Sequence, residues 1–533
     1  MTGIALDRRK LLTAAGGLAF VGGVSLQTRA WGADRFSGYP FALGVASGDP
    51  WPDGFVLWTR LAPQPLEPHG GMPLAVVPVR WEVAEDERFG RIVQTGETYA
   101  RPELAHSVHV EVDGLQPFRH YWYRFLVEGA EASPVGRVRT APARGQTPDR
   151  MRMAVAGCQA LYHGWFDAYR HMSRDADLDV VFHYGDYIYE GGASHGAGRY
   201  DIRDASGAVF DGRTHVGGEI YSLDDYRRRY AQYQSDPDLQ AAQAAFAFIS
   251  SFDDHEVDND WASAYDQDGT PPEVFALRRQ AAMQAWYEHM PVRRSQFPRL
   301  GEVTMYRRLD YGGLMRMHVL DTRSYRDDQL CVRSGQKNCR TGGEAEATIL
   351  GQPQEAWLNQ GLRNDAVWNL IAQQVFIMPL KGVNAQGQAL SAFNDKWDGY
   401  PASRRRLVQT ISDLKLTNVV FSGGDAHMHA VGSVPFRDDE PDGPSVGAEF
   451  LCSSITSNGD GALRSPNVAR FLDADNPHLA LCNDLRGYQT YDITAREWRT
   501  DVMVMDQVQK PGGQISRIAS FALAPDSPEL HRV

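Results

Sequence analysis

Positive charge is scarce in this chain. Its 533 residues carry 54 Lys and Arg against 67 Asp and Glu, a formal net charge of −13, and the basic residues form no run. Neutralising a phosphate backbone takes a basic patch, so the composition argues against general nucleic-acid binding. Long apolar runs are also missing. The mildly apolar stretch Thr13 to Leu26 is rich in Gly and Ala and shorter than the ~20 residues of a membrane span. No second candidate span follows, and neither an internal repeat nor a low-complexity tract is present. A hydrophobic content of 43% with 23% charged residues is that of a folded protein.

What the N-terminus does have is a processing pattern. Asp7, Arg8, Arg9, Lys10, Leu11 and Leu12 precede the apolar stretch, and small residues from Ala30 to Ala33 follow it. A charged head, a short apolar segment and a small-residue site make a signal peptide, here over residues 1–33. The paired arginines point to twin-arginine export. The expected partner during export is the twin-arginine translocase, and the expected location is periplasmic or secreted. Such export carries folded cargo, which often goes with a cofactor loaded beforehand.

Cysteines are few: Cys158, Cys331, Cys339, Cys452 and Cys482. Outside the cytoplasm thiols tend to pair. Cys331 and Cys339 bracket a short, mostly polar loop, and Cys452 with Cys482 offers a second bridge. Cys158 is then left over, either as a small buried residue or as a thiol with a task.

From residue 38 to 142 the chain reads as short strands separated by turns, the pattern of an Ig/fibronectin-like β-sandwich. From 150 to 510 strands alternate with helices, the signature of an α/β layered domain. Expected strands include Met151 to Gly157, Asp179 to Tyr184, Ala245 to Phe252, Met315 to Leu320, Trp368 to Ala372 and Thr417 to Ser422. Expected helices include Trp165 to Ser173, Leu223 to Tyr233, Glu273 to His289 and Arg404 to Leu416. The tail, 511–533, reads as partly helical.

Four of these strands end in potential metal ligands. Cys158 follows the first, and Asp186 and Tyr189 of GDYIYE (185–190) follow the second. The run DDHEVDND (253–260) follows the third. Asp425, His427 and His429 of GGDAHMH (423–429) follow the last. Sites in open α/β sheets form at the carboxyl ends of strands, and glycines at 157, 185, 423 and 424 let the chain turn there. Carboxylates crowded into one crevice raise each other's pKa until protons or cations bind. Oxygen donors suit hard cations such as Ca²⁺, Mg²⁺ or Mn²⁺. Asp425 and His427 are expected on one side of an extended strand end, and Asp186 and Tyr189 on one face of a helix-like turn, with Tyr187 pointing elsewhere. Any one of these endings alone is also an ordinary turn or a solvated acidic loop. Their convergence is the signal.

These stretches, together with GVASGDP (44–50), LWTR (57–60), YRRRYAQY (226–233) and DTR (321–323), resemble the PhoD-type alkaline phosphatase/phosphodiesterase family of the metallophosphoesterase group. The resemblance implies a four-layer α/β/β/α catalytic domain behind the N-terminal β-sandwich, with an Fe³⁺ and nearby Ca²⁺. It implies Cys158, Asp186, Tyr189, Asp425 and His427 around the iron. Asp186 would bridge to calcium, with Asp254, Asp258 and Asn259 on the calcium side. His255 would contact substrate beside the catalytic carboxylates Asp186 and Asp425. A phenol ionises at neutral pH beside a strong Lewis acid, which gives Tyr189 and the spare thiol a purpose. Arg323 is a candidate phosphate clamp or, equally, a structural ion pair. The expected activity is hydrolysis of phosphate mono- and diesters, in a monomer acting on a small ester substrate. Two alternatives stay open: a phospholipase D acting on lipid head groups, and a non-catalytic exported calcium-binding protein.

Overall fold

The computed structural model describes residues 36–192, 212–331, 339–343, 345–381, 394–461 and 476–533. The expected signal peptide lies outside them. Among the described residues no helix is long and apolar enough to cross a membrane.

Two large sheets make up most of the described structure. The first has ten strands in the spatial order Ser527–Arg532, Ile515–Ala524, Trp498–Met505, Gly487–Ile493, Met151–Ala156, Val180–His183, Ala247–Ser250, Val45–Trp51, Gly54–Arg60 and Ser107–Val112. The second has seven: Arg307–Tyr311, Met315–Val319, Trp368–Ala372, Val419–Gly423, Ser445–Leu451, His429–Pro435 and Leu479–Asn483. Each has a run of parallel pairs at its centre. Met153 and Ala247 both pair with Val180, and Val420 pairs with Leu370 on one side and Ala448 on the other. Parallel strands are covered on both faces, and the strands Val180–His183, Ala247–Ser250 and Val419–Gly423 are buried at every position. The two sheets meet through aromatic contacts: Trp368 lies 5.7 Å from Trp498 and Phe450 5.8 Å from Tyr491, centroid to centroid. The α/β fold expected from the strand–helix alternation is what the chain adopts.

The N-terminal strands divide between two sheets. Ile92–Ala100, Val77–Ala84, His120–Leu126 and Gly136–Arg139 form a separate four-stranded sheet. Val45–Trp51 instead pairs in parallel with Ala247–Ser250, so the ten-stranded sheet crosses the boundary expected at 142. The parallel register Ser47↔Ala247 welds the first strands to those that follow residue 150.

Two expectations fail. The tail is not helical: Ile515–Ala524 and Ser527–Arg532 form a hairpin around Pro525 and Asp526 at the edge of the ten-stranded sheet. Pro and Asp are turn formers, and here they separate two stretches that pair as antiparallel strands. Cys331 and Cys339 are bridged, but Cys452 and Cys482 are not joined to each other. The reason is strand order. Ala430 pairs on one side with Leu451, the neighbour of Cys452, and on the other with Cys482. An intervening strand puts the two cysteines roughly 10 Å apart, beyond the ~7 Å a disulfide spans between Cα atoms.

Candidate metal centre

The four ligand-bearing strand ends converge. Met151–Ala156, Val180–His183 and Ala247–Ser250 are neighbours in the ten-stranded sheet, and Val419–Gly423 lies inside the seven-stranded one. The residues just beyond them do the turning. Cys158, Asp186, Asp425 and His427 all have positive φ, at 49°, 54°, 66° and 53°. Left-handed backbone is unfavourable for non-glycine residues and collects at functional sites. Asp425 and His427 are therefore not on an extended strand end, and Asp186 to Tyr189 is not a helical turn. Each bend at a ligand aims that side chain inward. Gly185, at a φ of 134°, does provide a glycine-favouring turn, whereas Gly157 and Gly424 serve close packing. The ring of Tyr184 is wedged so tightly that a Cβ on Gly157 would stand 2.4 Å from it and one on Gly424 2.1 Å.

Three overlapping groups of donors result. Cys158, Asp186 and His427 form one, Asp186, Asp254 and His255 a second, and Asp253, Asp254 and Asp425 a third. In the first, the Cys158 thiol donates to Asp186 Oδ2 at 3.3 Å, and the Tyr189 hydroxyl donates to the same oxygen at 2.9 Å. The phenolic oxygen also lies 3.2 Å from His427 Nε2 and 2.5 Å from Ser457 Oγ. Asp186 Oδ1 faces the other way and accepts the His255 backbone N–H at 3.4 Å. Asp425, expected with the thiol, stands instead in the third group, where it is also held by Arg323 and Lys396.

Of the remaining expected residues, Asp258 is in none of these groups; its Oδ2 lies 3.0 Å from Arg278 Nη1. Asn259 donates its backbone N–H to Glu190 Oε1 at 3.1 Å. The choice left open for Arg323 falls to ion pairing. Its side chain is fully buried and contacts Asp253 at 2.5 Å, Asp395 at 2.8 Å, Asp425 at 3.4 Å and Asp254 at 3.6 Å. Tyr187 points away from the centre, and its hydroxyl accepts from Gln243.

Several residues of the centre were not expected. Glu190 Oε2 sits 2.6 Å from His255 Nδ1. Glu256 accepts backbone N–H groups from Asp186 at 3.0 Å, Tyr187 at 2.6 Å and Asp253 at 2.8 Å, tying two strand-end loops together. Both acids stand inside quoted motifs, so their presence was visible while their partners were not. Arg229, from the helix Leu223–Gln234, donates to the Tyr189 carbonyl.

Electrostatics favours cations here. Burial pushes the Cys158 thiol and the Tyr189 phenol well up, and the Asp186 carboxylate adds to both shifts. Burial also raises Asp186, helped by Asp254 and Asp253 and opposed by His255. These groups hold their protons until a cation displaces them. His427 is held well below the ordinary imidazole range by burial and the charge of Arg486, so it is neutral and able to ligate. Burial lowers His255, but Glu190, Asp254 and Asp186 outweigh it and hold the ring protonated well above its usual pKa. Buried Asp253 Oδ2 and Asp254 Oδ1 lack hydrogen-bond partners. Carboxylate oxygens left without hydrogen bonds inside one donor group are what a cation would satisfy, so the residues present fit metal ions.

This is the site of a metal-capable α/β enzyme. Comparison with known proteins makes the class specific. The PhoD-like phosphatase profile matches residues 153–502, and that of the PhoD-like phosphatase N-terminal domain matches residues 26–142. The chain is 44% identical over 534 residues to alkaline phosphatase D of Bacillus subtilis (strain 168), covering 99% of this chain and 89% of that protein. It is also similar to a solved structure of PhoD, with a TM-score of 0.85 and 44% identity over 93% of each chain. The chain belongs to the PhoD-like phosphatase family, and it is a hydrolase of phosphoric esters. The alternative of a non-catalytic binding protein is set aside.

Proposed function

We propose that this phosphoesterase is metal-dependent, holding Fe³⁺ among Cys158, Asp186, Tyr189 and His427 and Ca²⁺ on the side of Asp186, Asp254 and Asp425. The observation that carries the reading is the division of Asp186: Oδ2 faces a thiol and a phenol, and Oδ1 faces the second group. Thiolate, phenolate and imidazole suit a transition metal, whereas clustered carboxylates suit calcium. Asp253 joins the calcium side because it shares a donor group with Asp254 and Asp425, whereas Asp258 lies in none of the three groups and Asn259 stands beside the Glu190–His255 pair. When bound, such cations neutralise phosphoryl charge and activate water.

The chain's own residues do the rest. Glu190 fixes the His255 ring by accepting from Nδ1–H, which leaves Nε2–H to hand a proton to the departing oxygen. Asp186 and Asp254 orient the reacting groups, and the buried walls around Tyr184 and Tyr189 exclude bulk water. The substrates are phosphate mono- and diesters, met outside the cytoplasm after twin-arginine export. We read the facing sheets and their helices as a four-layer α/β/β/α unit. The N-terminal strands read as a sandwich with one sheet continuous with the catalytic one, supported by Phe55 lying 6.2 Å from Tyr121 between its sheets.

The test is hydrolysis of p-nitrophenyl phosphate and its bis-ester by the purified protein. Asp186→Ala should abolish both, and full activity in that variant would refute the site. Release of choline rather than phosphate from phosphatidylcholine would favour the phospholipase reading instead.

A further inference from the structure

The loop 453–461 enters the centre from the end of the strand Ser445–Leu451 and closes around the thiol and the phenol. Ile455 donates its backbone N–H to the Gly157 carbonyl at 3.0 Å, and Ser457 donates its own to the Cys158 carbonyl at 3.2 Å. Thr456 Oγ1 donates to the Ala160 carbonyl at 2.8 Å. Arg486, fully buried, grips the loop from behind through Ser454 Oγ at 2.5 Å and the Ser457 carbonyl at 2.6 Å. The fully buried Ser457 hydroxyl is thereby fixed in place, 2.5 Å from the phenolic oxygen of Tyr189.

From this geometry we infer that Ser457 is a positioning residue for the metal centre, one that donates a hydrogen bond to the Tyr189 phenolate. The inference rests on the iron reading above and follows from counting protons. A hydroxyl has a single proton to give. Ser457 Oγ accepts from the Ala160 N–H at 3.1 Å, donates to the Cys158 carbonyl at 2.7 Å, and lies 2.5 Å from the phenolic oxygen, whose own proton is directed at Asp186 Oδ2. Coordination of Tyr189 to a metal would take that phenolic proton away. The bare oxygen then needs a donor, and its other described neighbours, Asp186 Oδ2 and His427 Nε2, are on the ligand side. Ser457 can turn its proton from the Cys158 carbonyl to the phenolate. The carbonyl is not orphaned, because it keeps the Ser457 backbone N–H at 3.2 Å. The exchange replaces a neutral hydrogen bond with a charge-assisted one, about twice as strong. Partners of this kind, set behind the ligands, change metal affinity or activity by about 10–100-fold when removed.

The experiment reads the phenolate-to-iron absorption band of the purified, iron-loaded protein. A hydrogen bond lowers the energy of the phenolate donor electrons, so its loss moves the band to longer wavelength. Ser457→Ala is expected to shift the band that way and to release iron to a chelator about 10–100-fold more readily. Thr456→Ala removes a hydroxyl from the same loop without touching the phenol, and its band should stay at the wild-type position. If the alanine variant does not fold, Ser457→Cys restores the volume with a poorer donor and should give a smaller shift in the same direction. A band unmoved in the foldable Ser457 variant, or moved equally by Thr456→Ala, overturns the inference. In either case a wild-type band lost in Tyr189→Phe would leave the iron reading standing. A wild-type protein with no such band overturns both.

Discussion

Arg323→Met is the sharpest perturbation of the carboxylate side of the centre. The guanidinium is fully buried and is the cation against Asp253, whose side chain is also fully buried. Asp395 and Asp425 keep Arg326 and Lys396 after the change, so the uncompensated charge falls mainly on Asp253, with Asp254 beside it. Removing one partner of a buried ion pair destabilises by about 3–5 kcal/mol. Part of that is recovered when the carboxyl takes a proton. Burial already raises Asp253 while Arg323 holds it down, so without Arg323 it protonates more readily. The loss is therefore smaller at pH 5 than at pH 8. Calcium should stabilise the variant more than the parent, because losing a positive charge beside the site strengthens cation binding, and ligand at 100 times its Kd adds about 2.7 kcal/mol. The assay is urea unfolding followed by circular dichroism, in chelator and in excess calcium. A variant as stable as the parent in chelator, but with a raised KM for phosphate esters, would refute the reasoning and restore Arg323 as a phosphate clamp.

Two further predictions concern packing and pH. Gly424→Ala places a methyl against the trapped Tyr184 ring, 2.1 Å away, just before Asp425; overpacking of this kind destabilises by about 1–3 kcal/mol. Reduced thermal stability with reduced activity is expected, and unchanged values would contradict the wedge. His109 stacks on Tyr287 at 4.5 Å and is held down to about 4 by burial. Its folded pKa lies below the unfolded value, so the stability it contributes is present above pH 6.5 and lost as pH falls towards 4. The loss is roughly 2 kcal/mol at pH 5. His109→Phe should shrink the stability difference between pH 7 and pH 5 by about that amount; an unchanged difference would contradict the buried neutral ring.

Strands and their endings were the legible part of this chain. Parallel central strands are covered on both faces and so read as unbroken apolar runs, and the ligand types after Gly157, Gly185 and Gly424 stood out against them. The local backbone was misread. A side chain can reach the centre from a left-handed residue as well as from a helix, and Asp186 meets Tyr189 at 2.9 Å with a φ of 54°. Strand order was not legible, which is why Cys452 and Cys482 looked pairable although a strand separates them. The same limit let a ten-stranded sheet run across the expected boundary at 142. Nor could the sequence say which donors share a group: Asp425 resembles His427 in position but stands with Asp253 and Asp254. Glu190 and Ser457 became meaningful once their partners, 65 and 268 residues away in the chain, were in place.

Metal content, measured together with the visible spectrum on the purified wild type and on Tyr189→Phe, tests the central claim most directly. The account predicts stoichiometric iron with calcium, and a phenolate absorption band that Tyr189→Phe removes. A fully active protein that is colourless and free of iron would contradict it.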